Sequence, residues 1–239
     1  AMHDGDPRGQ LRPDAVGDGA CTQCHESLAT APAMAAHTRH DAQGEGARCV
    51  ACHMPRIVYG LVDVHRSHRV EVPDPAQNAR DARPDACTLC HVDETRSWAI
   101  DAYAQMFGRS AARVDTTRNH ALPDDAVGLA EVARALAGGD PIERAVAAHA
   151  IGRTDASTAR ANGAERDQRL ARLLDAVANE RFPAVRRIAA RSAAQLAPSA
   201  AARAALRAYE ATAPADERAR ALAGARALLP VTARALSAE

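Results

Sequence analysis

Six cysteines stand in three copies of one five-residue pattern: Cys21-Thr-Gln-Cys24-His25, Cys49-Val-Ala-Cys52-His53 and Cys87-Thr-Leu-Cys90-His91. Two thiols at this spacing share one helical turn, which lets both meet the two vinyl groups of a single porphyrin. The His that follows at once then reaches the iron from below. Three such motifs predict three covalently attached haem c groups. Cys21, Cys24, Cys49, Cys52, Cys87 and Cys90 are the expected attachment points, and His25, His53 and His91 the expected proximal iron ligands.

Two other chemistries use the same residue types. A Cys-x-x-Cys pair is half of a zinc site or a thioredoxin-like redox centre, and six cysteines in an exported chain can form three disulfides. Zinc does not require a His after every pair, and a four-cysteine cage leaves one of three pairs over. Disulfide frameworks rarely repeat one pattern so uniformly.

What holds the opposite face of each iron decides the function, since His or Met there closes the site whereas an open position admits a substrate. Seven His remain outside the motifs: His3, His37, His40, His65, His68, His120 and His149. His37 with His40, and His65 with His68, form two His-x-x-His pairs lying between successive motifs. His120 precedes a predicted helix and is placed to fold back over the third haem, while His149 shares an apolar face with Ile142, Ala145 and Val146 and reads as a core residue. Met34 and Met54 are thioether alternatives that would raise the potential, but Met54 directly follows a motif His and is badly placed for its own haem.

The elements that must position these residues differ along the chain. Up to about residue 95, Gly, Pro and Asp interrupt any periodicity, as in Asp4-Gly5-Asp6-Pro7 and Val72-Pro73-Asp74-Pro75, which predicts loop with short helices. From about 97 the Cys stop and helical spacing takes over. Leu170, Leu173, Leu174 and Val177 recur at i, i+3, i+4 and i+7, as do Val185, Ile188, Ala189, Ser192 and Leu196 in the same register. Pro141, Pro183 and Pro214 open segments at positions suited to a first helical turn. Helices are expected near 97–107, 125–137, 141–152, 165–179, 183–196, 200–210 and 215–228. The fold expected is mainly α: a loop-rich trihaem cytochrome c domain over 1–96, then an all-α HEAT-like repeat or bundle domain over 97–239.

Composition narrows the function. Aromatic residues make up 3% of the chain, so a core must come from small side chains or be filled by a bulky group that is not protein. All the basic residues are Arg, and 30 bases balance 30 acids, which argues against a nucleic-acid partner. Residues 1–92 hold twelve acids against nine Arg, hence −3, and the remainder eighteen against twenty-one, hence +3. No run of apolar residues reaches membrane-spanning length, and no signal peptide is visible, so a mature soluble chain is expected. Covalent haem implies the periplasm or cell exterior.

The stretch from Cys21 to about Phe107 resembles a bacterial group of multihaem cytochromes with doubled Cys-x-x-Cys-His motifs. The likeness runs through His37-Thr-Arg-His40, Gly46-Ala-Arg-Cys-Val-Ala-Cys-His-Met-Pro55, Arg66-Ser-His68, Pro84-Asp-Ala-Cys-Thr-Leu-Cys-His91 and Trp98-Ala99. Members often continue into helical repeats. The resemblance implies closely packed bis-His haems, a role in periplasmic electron transfer, and distal ligands at His37 or His40, at His68 and at His120. His65 has no counterpart in that pattern.

The expected role is therefore that of an electron carrier, not an enzyme, exchanging electrons with donor and acceptor proteins. The alternative is a multihaem redox enzyme with one open haem that reduces a small nitrogen or oxygen species. A third possibility is that the helical half docks the haem domain on a larger complex.

Overall fold

The computed structural model describes residues 11–59, 63–81, 83–108, 130–154 and 163–236. Helix accounts for 62% of it and strand for 4%, so the protein is mainly α. By contact the chain divides into two compact units: residues 1–55 with 66–73, and residues 56–65 with 74–239.

The first unit is built from short pieces. α1 spans Gly19–Thr22, α2 spans Ala31–Thr38 and α3 spans Cys49–His53, joined by 3₁₀ turns at Pro13–Ala15, Glu26–Leu28 and Glu45–Ala47. Thr30 caps α2 by accepting from the Ala33 amide, and Pro32 sits in its first turn. The helix ends where Arg39 takes a left-handed conformation at φ 59°. The hydrophobic residues this unit buries, among those described, are Ala15, Met34 and Ala47. Val16, Val70 and Val72 meanwhile stay 64%, 69% and 66% exposed. Three small or flexible side chains do not make a core for a unit of this size.

The second unit has a continuous core. β1 (Arg56–Tyr59) pairs with β2 (Asp63–Arg66) in a two-stranded sheet. α4 spans Pro75–Arg80, α5 Arg96–Phe107, α6 Glu131–Gly138, α7 Pro141–Ile151, α8 Gly163–Asn179 and α9 Pro183–Leu196. They are followed by α10 at Ala200–Arg207, α11 at Ala215–Ala227 and α12 at Val231–Leu236. β1 lies on α7, α6 on α7, and α9 on α7, α8 and α10; α8 also carries α11 and α12. The positions singled out by spacing are the buried ones, Leu170, Leu173, Leu174 and Val177 on α8 and Val185, Ile188, Ala189, Ser192 and Leu196 on α9. α9 comes so close to α7 that a Cβ on Gly152 would sit 2.4 Å from that of Ser192.

Local chemistry sets the helix ends. Asp140 accepts from the amides of Ile142 and Glu143 while Glu143 accepts from the Asp140 amide, a complete capping box ahead of Pro141. Thr95 caps α5 and Ser199 caps α10. Arg side chains serve the carbonyl ends: Arg186 donates to Ala211 O at 3.1 and 2.7 Å and to Glu180 O at 2.8 Å. Among the described residues no helix is long and apolar enough to cross a membrane.

Glu131, at the start of α6, is buried between Arg96 of α5 and Arg134, accepting hydrogen bonds from both. Burial opposes its ionisation, but the two guanidinium groups outweigh it and hold the carboxyl below its usual range. A carboxylate whose folded pKa is depressed contributes stability that is present above the ordinary Glu value and lost as pH falls through the folded one. Glu131→Gln should therefore destabilise the protein by about 3–5 kcal/mol at neutral pH, because two buried cations lose their shared anion. The same substitution should flatten the loss of stability below about pH 4. Chemical denaturation of both proteins across pH checks both.

Candidate functional site

The amide of each motif's first Cys donates to an aspartate, to its backbone carbonyl at the first motif and to its side chain at the other two. Gly17 turns the chain at φ 75° into Asp18, whose carbonyl accepts from the amides of Cys21 and Thr22 at the start of α1. The Asp18 side chain reaches instead to the second motif, with Oδ1 accepting from the Cys49 amide at 3.0 Å and Oδ2 lying 3.4 Å from Arg48 Nε. One aspartate thus ties the starts of the first two motifs together. Burial first, then the charge of Asp18 and the neighbouring Cys21, pushes the Cys49 thiol up to about 12.

In the third motif Asp85 is the capping acid. It accepts from the amides of Cys87 and Thr88 at 2.9 Å and from the Thr88 hydroxyl at 2.6 Å. Its burial raises the carboxyl above the ordinary range; the Thr88 bonds oppose that, and the charge of Glu131 adds to it. Helical hydrogen bonds complete the turns: the amides of His25 and His91 donate to Cys21 O and Cys87 O at 2.9 and 2.8 Å. None of the six cysteines, all among the described residues, is in a disulfide.

The imidazoles are oriented by backbone carbonyls. His53 Nδ1 lies 2.7 Å from Glu71 O, and the Glu71 amide donates to His53 O at 3.0 Å. A carbonyl only accepts, so Nδ1 carries the proton and Nε2 keeps the lone pair a metal needs. His40 repeats the device with Nδ1 2.6 Å from Thr38 O, its ring lying so close to Gly46 that a Cβ there would meet Cδ2 at 2.5 Å. His68 Nδ1 is 3.2 Å from Arg66 O, with the residue exposed. Arg66 itself donates to Val50 O at 2.6 Å and pairs with Glu45, holding α3 from the side. At the third motif the ring of Trp98 packs on His91 at 4.8 Å between centroids.

His37, on α2, faces His53. Their rings are parallel to within 9° and their centroids are 6.2 Å apart. Two imidazoles bound to opposite faces of one metal through bonds of about 2 Å also have centroids about 6 Å apart, with ring edges and not faces opposed. A bare ion needs more ligands, and among the described residues no three His, Cys, Asp or Glu side chains cluster to hold one. A haem iron takes four nitrogens from its own ring and needs only two from protein. The poor core of the first unit and its exposed valines suit a large apolar group in the same way.

Of the candidate ligands, then, His37 is brought to a motif His, and His40 is locked in place. His25 is exposed, and His120 lies outside the described residues. Sequence spacing missed Asp18 and Glu71. Glu71 acts through its backbone and carries no signal in its residue type, whereas an Asp just ahead of a turn is a recognisable cap.

Neither a family model nor a curated protein nor a solved structure matches the chain.

Asp18→Asn keeps an acceptor near the Cys49 amide and removes the charge. In the reduced, haem-free chain Cys49 should then alkylate several-fold faster at about pH 9, because more of it is thiolate. Peptide mass mapping against time reads the rate; an unchanged rate would mean that the Asp18 charge does not act on this thiol.

Proposed function

We propose that this protein is a trihaem c-type cytochrome that carries electrons outside the cytoplasmic membrane between a donor and an acceptor protein. The observation that carries the reading is the three Cys-x-x-Cys-His motifs, each folded as a turn that ends on its His, with His37 lying 6.2 Å from the second motif's His53 between ring centroids. A second support is the first unit's small buried set of Ala15, Met34 and Ala47. Haem bound at each motif supplies a one-electron iron couple.

In this reading the chain's own residues do the rest. The six cysteines fix the rings covalently, His25, His53 and His91 bind one face of each iron, and His37 closes the opposite face above His53. His40, His68 and His120 are the residues proposed for the remaining irons. Closed coordination on both faces excludes small substrates, which makes a carrier and not an enzyme. Nδ1 contacts with carbonyls hold the His53 and His40 rings in one orientation, so little rearrangement accompanies a change of charge. The helices from α6 to α12 act as a HEAT-like scaffold, a reading supported by the stacking of successive helices on their neighbours.

His37→Ala tests the reading at one iron. Low-temperature EPR of the oxidised wild type should show low-spin haem only. The variant should show one new high-spin signal and bind one equivalent of carbon monoxide when reduced. A variant spectrum identical to the wild type would remove His37 from the ligand set. A wild type that already binds carbon monoxide would favour the enzyme.

A further inference from the structure

His40 is held more tightly than its place after a helix end requires. It follows α2, which stops where Arg39 takes φ 59°, and among the described residues Arg39 alone combines a side chain with a positive φ. Such a backbone is costly for a residue with a Cβ and persists where its surroundings fix the chain. Thr38 anchors what comes next from two sides. Its hydroxyl donates to Met34 O at 2.9 Å and accepts from the His40 amide at 3.3 Å, while its carbonyl accepts from His40 Nδ1 at 2.6 Å.

The tethered ring lies against Gly46, where a Cβ would stand 2.5 Å from Cδ2, 2.8 Å from Cγ and 3.2 Å from Nε2. Gly46 sits in the 3₁₀ turn at Glu45–Ala47 and is not one of the glycines with a positive φ, so its backbone does not itself call for glycine. What excludes a side chain there is the imidazole. An ordinary contact of about 3.5–4 Å would need the ring to move by about 1 Å. A metal–nitrogen bond of about 2 Å tolerates about 0.2 Å. The first unit contains the motifs of His25 and His53, and His37 stands against His53.

Resting on the trihaem reading, we infer that Gly46 is a positioning residue whose bare backbone seats the His40 ring as the second axial ligand of the first haem, opposite His25. Gly46 touches no iron. It acts by leaving the space that the imidazole fills, with Nδ1 engaged by Thr38 O and Nε2 as the metal-binding nitrogen.

The full holoprotein and its variants are compared by low-temperature EPR when oxidised and by carbon monoxide uptake when reduced, with haem content from intact mass. Gly46→Ala and His40→Ala should each show one high-spin haem and bind one equivalent of carbon monoxide. Gly44→Ala, whose Cβ would come no nearer than 3.2 Å to Asp41 O, should match the wild type. Removing the imidazole makes room for the methyl, so Gly46→Ala with His40→Ala should load three haems and match His40→Ala alone. Gly46→Ala with His37→Ala should open two haems.

A Gly46→Ala protein with three haems and the wild-type spectrum overturns the inference, as does a His40→Ala spectrum equal to the wild type. If Gly46→Ala fails to load haem, loading restored by adding His40→Ala supports the inference, and loading not restored overturns it. A single open haem in the pairing with His37→Ala would put His37 and His40 on one iron and contradict the assignment. A wild-type chain that carries no haem fails the underlying reading instead.

Discussion

The hydrogen bond between His53 Nδ1 and the carbonyl of Glu71 determines which nitrogen of that ring can meet a metal, and the neighbouring geometry follows from it. With Nδ1 engaged, Nε2 is the nitrogen left to bind, and the His37 ring lies parallel to this one with centroids 6.2 Å apart. The segment that supplies the carbonyl is itself anchored, by Ser67 to Pro55 O and by the Glu71 amide to His53 O. His40 is governed in the same manner by Thr38 O and by the bare backbone of Gly46. Backbone carbonyls are rigid partners, and they orient an imidazole without adding charge to its site.

The two units solve the problem of a core differently. In the second, Leu and Ala from α7, α8 and α9 pack with almost no aromatic contribution, and the small side chains let helices approach until Gly152 meets Ser192. Among the described residues the first unit buries too little apolar surface for that strategy. A chain whose only basic residue is Arg also has a particular tool. The planar guanidinium forks over carbonyls at helix ends, as Arg186 does on Ala211, and it tolerates burial in pairs, as Arg96 and Arg134 do about Glu131.

Much of the helical region was legible from residue spacing. The i, i+3, i+4, i+7 run from Leu170 and the prolines at 141 and 183 mark helices within a few residues of where they lie, because a long amphipathic stripe has only one way to bury itself. The β1–β2 hairpin was not legible. Four-residue strands leave too short a pattern, and their pairing is decided by how Val58 and Val64 pack with the helices. α12 was missed for the same reason of length. In the candidate site the motifs were plain from their spacing, and His37 and His40 were both in view. Both lie within four residues, and only tertiary geometry shows that the His37 ring is the one brought to His53. Asp18 and Glu71 act across 31 and 18 positions of sequence, beyond the reach of any local pattern.

The central claim is that each Cys-x-x-Cys-His motif carries its own covalent haem. Intact mass of the denatured protein, produced with export and haem attachment, tests it most directly when followed by mapping of the three motif peptides. The account predicts a mass increase of three haems, with one on each peptide that contains Cys21–His25, Cys49–His53 or Cys87–His91. A protein with full redox activity whose motif peptides carry free thiols, disulfides or zinc would contradict it.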